Sequence, residues 1–117
     1  MSAKVAVRWS GKTIKVGGLP CGVPGLAIVL RPSGEGLGIV HVRSGAFIGL
    51  FAASVSPEAV LAAAQEIAHL ADWTVPGTVL QSTPGLADDA YMVVLRWGGN
   101  MRGGGAPAAT DITEVSA

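Results

Sequence analysis

Only one cysteine, Cys21, occurs in the chain, so no internal disulfide can form and a reducing, cytoplasmic compartment is expected. The two histidines, His41 and His69, have no metal-ligand spacing around them, and neither a metal nor another cofactor is expected. Long apolar runs are missing as well. A spanning helix needs ~20 such residues, and the longest uncharged apolar window, 46–55, is about half that length and contains Gly49 and Ser54. The first residues alternate polar with apolar as far as Lys12 and lack the apolar centre of a signal peptide. No membrane association is expected.

Catalytic constellations are also absent. Cys21 sits in a Pro/Gly-rich loop with no helix start to lower its thiol pKa, and no spacing joins it to His41. Asp88 and Asp89 are adjacent, so in an extended strand their carboxyl groups point apart. The run Gly34-Glu35-Gly36-Leu37-Gly38 lacks both a following helix and the Lys-Ser/Thr of a phosphate-binding loop, and it reads as a hairpin turn. No catalytic, cofactor-binding or metal-binding residue is assigned, and no enzyme is expected.

Charge is scarce: 14% of the 117 residues are charged against 50% apolar, and the mean hydropathy is +0.50. So few charges cannot cover the surface of a domain this size, which points to burial against copies of the chain or a protein partner. The charges that exist are divided. Lys4, Arg8, Lys12, Lys15, Arg31 and Arg43 precede Ser54 with only Glu35 against them. Arg96 and Arg102 follow it among Glu58, Glu66, Asp72, Asp88, Asp89, Asp111 and Glu114. Three arrangements fit this split: the halves interleave in the fold, a basic end meets the acidic end of another copy, or the basic half faces a polyanion.

The pattern along the chain predicts one α+β domain over 1–97, with an antiparallel sheet packed by one amphipathic helix. Lys4–Trp9 and Thr13–Val16 alternate with the strand period around Ser10-Gly11, as a β-hairpin does. Four glycines and two prolines make 17–25 a loop. Leu26–Arg31, Leu37–Arg43 and Ala46–Phe51, joined by short turns, form a three-strand meander, with Leu26–Arg31 apolar enough to be covered on both faces. Ser56 as N-cap, Pro57 at the first position and Glu58 in the first turn start a helix over 57–72. Its apolar stripe is Val60, Leu61, Ala64, Ile67, Ala68 and Ala71, and Trp73 beyond it plugs the core edge. Thr78–Ser82 and the β-prone Ala90–Trp97 read as C-terminal strands. The Gly-rich composition of 98–117 reads as a flexible tail.

If the helix covers one face of the meander, Arg31, His41 and Arg43 gather on the other as an exposed basic surface, the candidate nucleic-acid-binding residues. The order strand, strand, strand, helix, with Phe47-Ile48-Gly49-Leu50-Phe51 before Ser56-Pro57-Glu58-Ala59, resembles the AP2-type and integrase-arm DNA-binding domains. That resemblance covers about forty residues and implies a sheet laid in the major groove with the helix behind it. The segments His41-Val42-Arg43-Ser44-Gly45 and Leu70-Ala71-Asp72-Trp73, in an Ala/Gly/Val-rich chain, also resemble small uncharacterised proteins of actinobacteria and actinophages. The functions expected are therefore a non-enzymatic protein-interaction or self-assembling module, as a phage accessory or virion component would be, or alternatively a nucleic-acid-binding meander.

Overall fold

A computed structural model describes residues 3–32 and 35–100. It is an α+β fold with one six-stranded antiparallel sheet in sequential order. The strands are β1 (Ala3–Trp9), β2 (Lys12–Pro20), β3 (Leu26–Leu30), β4 (Leu37–His41), β5 (Ala46–Phe51) and β6 (Gly99–Asn100). The helices are α1 (Pro57–Ile67), α2 (Gly77–Gln81) and α3 (Leu86–Arg96). Among the described residues no helix is long and apolar enough to cross a membrane.

Each turn follows local chemistry. Trp9 pairs with Lys12, and the two residues between them, Ser10 and Gly11, have φ of 52° and 75°. Both values match the primed two-residue turn whose twist suits a hairpin. Between β4 and β5 the register slips at Ile39/Val40, so Val40 faces Phe47 while Ile39 faces Gly49. The extra residue, Ile48, makes a β-bulge.

The sheet is rolled. β2 pairs with β1 over Lys12–Gly18 but with β3 only over Gly18–Pro20, so the strand changes partners at Gly17-Gly18. The β1–β2 ribbon thereby folds over β3–β4. Its inner residues Val5, Val7, Ile14 and Val16 pack with Phe47 on Ala27, Val29 and Val40. Trp9 meets Phe47 edge to face at 5.4 Å, and the Arg8 amide donates to Gly45 O at 2.8 Å, tying the ribbon to the β4–β5 turn. The opposite face of β3–β4 presents Leu26, Ile28 and Ile39 to the helices, where Phe51, Val60, Ile67 and Val94 are fully buried. β3 therefore buries both faces, as its unbroken apolar run requires. Each such side chain contributes roughly 1.5–3 kcal/mol.

Three expectations are corrected. The loop expected over 17–25 begins only at Cys21, because 17–20 belong to β2. Residues 78–82 and 90–97 are not C-terminal strands: 77–81 form α2 and 86–96 form α3. The β-prone Tyr91, Val93 and Val94 are overridden by spacing, because Leu86, Ala90, Val93 and Val94 fall at helical intervals and are the residues of α3 that the core buries. Asp88 and Asp89 in its first turn and Arg96 in its last suit the helix dipole. The helix expected over 57–72 ends at Ile67. There the His69 and Leu70 amides bond three residues back, to Glu66 O and Ile67 O, and the Trp73 indole N–H also donates to Ile67 O, at 2.9 Å. Trp73 is buried as expected, and Ser56 caps α1 through the Ala59 amide.

Gly99 and Asn100 pair with Phe51 and Leu50. The sheet thus runs past residue 97, and the rest of the expected tail, 101–117, lies outside the described residues.

Candidate interaction surfaces

The three residues that suggested a basic sheet face do not share one. His41 is 2% exposed and points to the helical side of β4. Its neighbours decide its tautomer. A carbonyl oxygen only accepts, so Nε2 carries the proton and donates to Val75 O at 2.9 Å, which leaves Nδ1 to accept the Ser44 hydroxyl at 2.7 Å. The Ser44 oxygen accepts in turn from the Ala46 amide at 3.2 Å. Trp73 lies edge to face with the imidazole at 6.4 Å. A serine hydroxyl on a histidine nitrogen has the form of a nucleophile–base pair, but this ring is sealed in and its other nitrogen is held by the chain itself. The arrangement acts as a strut between the β4–β5 turn and the 73–77 connection. His41→Ala, which strands the Ser44 hydroxyl and the Val75 carbonyl beside a cavity, is expected to cost about 3 kcal/mol. A urea titration measures this, and a loss below about 1 kcal/mol would refute the strut.

Arg31 is half-buried, with Nη1 donating to Phe51 O at 3.5 Å. Burial lowers its pKa, and the charge of Glu35 works in the opposite sense. Arg43 is exposed and donates to Thr74 O at 3.1 Å. His41 and Arg43 both reach the 73–77 connection, but that side is not open: the helices and the connection bury His41, and Arg43 stands past the end of β4 at the exposed rim. Cys21 is buried and its thiol faces Leu26 O, while His69 is exposed on the turn after α1.

Alternation does find a basic surface on the ribbon. Lys4 lies opposite Gly17, Ala6 opposite Lys15 and Arg8 opposite Thr13, all on the face turned away from Val7 and its cluster. Lys4, Arg8 and Lys15 are exposed, as is Lys12 beside the turn. The ribbon carries no acidic residue. Glu58, Asp88 and Asp89 are exposed on the helices, beyond the opposite face of β3–β4. Ribbon and helical layer therefore keep these charges apart.

The helical layer also carries exposed apolar groups. Met92 is 60% and Leu95 43% exposed on the side of α3 away from its buried stripe, and Trp97 follows at 36%. Glu66 of α1 accepts from the Trp97 indole at 2.6 Å and pairs with Arg96. The Trp97 bond first, and the Arg96 bond second, hold the Glu66 carboxyl below its ordinary range. On the connection after α1, the Thr74 hydroxyl and amide do the same for Asp72. An apolar hollow of about 220 Å³ opens beside Gly17 and Gly18, flanked by the exposed Leu19 and Leu30.

Among the described residues no three or more His, Cys, Asp or Glu side chains are grouped to hold a metal ion. No family model matches the chain, and comparison with curated proteins and with solved structures finds no match either.

Proposed function

We propose that this protein is a self-associating interaction module whose contact surface is the outward face of α3. The observation that carries this reading is the pair Met92 and Leu95, 60% and 43% exposed on adjacent turns of the face opposite the core. Apolar side chains placed together on a helix exterior lose free energy to water, and a second copy is a surface of the right chemistry to cover them.

The face is self-complementary. Asp88 lies one turn before Met92, and Arg96 one turn after it. If two copies of α3 pack antiparallel about a two-fold axis near Met92, Asp88 of each comes opposite the other's Arg96, which would share its charge between Asp88 and Glu66 of its own chain, and the helix dipoles oppose favourably. A standard interface buries about 800 Å² per partner, more than one 11-residue helix offers, so the dimer is weak.

Sedimentation velocity over a concentration series tests the proposal. The mass is expected to rise from one chain to two as concentration enters the high-micromolar range. Met92→Lys with Leu95→Lys is expected to hold the chain monomeric without shifting its thermal midpoint, because both side chains are exposed. A single-chain mass at every concentration, or a dimer indifferent to the double substitution, would refute it.

A further inference from the structure

We infer that the outward face of the β1–β2 ribbon docks on the phosphate backbone of duplex nucleic acid. The argument begins with register. Lys4, Arg8 and Lys15 project from one face, Lys4 and Arg8 about 13 Å apart along β1 and Lys15 across from Ala6 between them. All three are exposed, and among the described residues no ion pair engages them. Lys12 adds a fourth exposed cation beside the two-residue turn at the ribbon tip.

What lies between the cations selects the occupant. The rest of this face is Ala6, Thr13 and Gly17, so it is nearly flat and a backbone can approach closely. Between Lys4, Arg8 and Lys15 a stable protein partner finds no large apolar or aromatic anchor, and the exposed Leu19 and Leu30 lie past Gly17 at one end of the ribbon. Base stacking needs an exposed aromatic ring, but the ring of Trp9 is turned inward against Phe47. Contact with phosphate needs only cations and small donors, which is what the face holds.

Shape and field agree. A two-stranded antiparallel ribbon has the width that the major groove of a duplex admits. The exposed carboxylates of Glu58, Asp88 and Asp89 lie beyond β3–β4 on the helical side, and over such separations salt screens them. With only three cations on the face, all spent on phosphate, the binding is weak and independent of sequence. This ribbon is separate from α3, so the inference stands or falls apart from self-association.

Fluorescence anisotropy of a labelled DNA duplex of arbitrary sequence, titrated with the full chain at several salt concentrations, tests it. Three phosphate contacts at about 0.9 each predict a slope of log K against log salt near −3, a roughly 40-fold loss between about 50 and 200 mM. Arg8→Ala is expected to reduce that slope by about one. The triple substitution Lys4→Ala, Arg8→Ala, Lys15→Ala is expected to abolish binding while the thermal midpoint stays in place. Failure to bind at the lowest salt, or binding that survives the triple substitution, would overturn the inference. So would capture by phosphatidylserine vesicles under conditions where the duplex is ignored.

Discussion

Gly25→Ala is expected to destabilise the fold by about 3 kcal/mol, and Gly22→Ala, three residues earlier, by only about 1 kcal/mol. Both glycines have positive φ, 88° and 77°, so both substitutions carry the left-handed backbone penalty. They differ in what a Cβ would meet. At Gly22 nothing lies within 4 Å, whereas at Gly25 the Cβ would overlap the Trp73 carbonyl and stand 2.9 Å from Thr74 N. Backbone cannot rotate away as a side chain can, so the 21–25 loop and the 73–77 connection would have to part. That separation strains the groups gathered there: the Trp73 indole on Ile67 O, the His41 imidazole on Val75 O, and the Val42 amide on Gly25 O. Urea unfolding followed by tryptophan fluorescence measures both variants. Equal losses would show that the close approach at Gly25 carries no weight.

Phe51→Ala is expected to cost more, about 3–5 kcal/mol. Phe51 is fully buried on the helical side, with its backbone paired to Leu37 and Gly99. Two glycines make room for its ring and for Val94: a Cβ at Gly99 would stand 2.7 Å from Phe51 Cδ2, and one at Gly49 would stand 2.7 Å from Val94 Cγ2. The cavity left by truncation would open between β5, β6 and α3, where the strands on both sides stay paired to the Phe51 backbone and cannot collapse into it. Domains of this size hold about 5–15 kcal/mol in total, so the variant should unfold at markedly lower urea. Phe51→Leu, which keeps most of the volume, should cost less than half as much. Similar midpoints for the two variants would mean that this ring is not the keystone of the helical core.

Gly99 also hides the last strand from the sequence. Gly98-Gly99-Asn100 has the composition of a linker, yet Gly99 is the residue that lets β6 lie against Phe51 and Val94. The requirement arises from a ring and a helix distant in sequence, so no local signal announces it. α3 is a different case. Its stripe Leu86, Ala90, Val93, Val94 and its acidic first turn are present in the sequence, but the β-propensity of Tyr91 through Leu95 competes with that period. Propensity is a weak prior, and a helix that can bury such a stripe overrides it.

The basic residues hold the same lesson. Strand alternation tells which side chains share a face, and it grouped His41 with Arg43 and Lys4 with Arg8 without ambiguity. It does not tell which face water keeps. That depended on Gly17-Gly18 folding the ribbon over one side of β3–β4, and on α1 and α3 covering the other.

By itself, then, the sequence determined the α+β class, the hairpin, the meander and the start of α1. Each of these rests on neighbours in the chain: turn glycines, a serine cap, a first-position proline, a period of two residues or of 3.6. Tertiary structure alone decided that His41 is an inward strut, that Lys4, Arg8 and Lys15 face outward together, and that Met92 and Leu95 stay uncovered. The physical reason is that burial is shared between segments far apart in the chain, and a residue's own neighbours carry no record of what will pack on top of it.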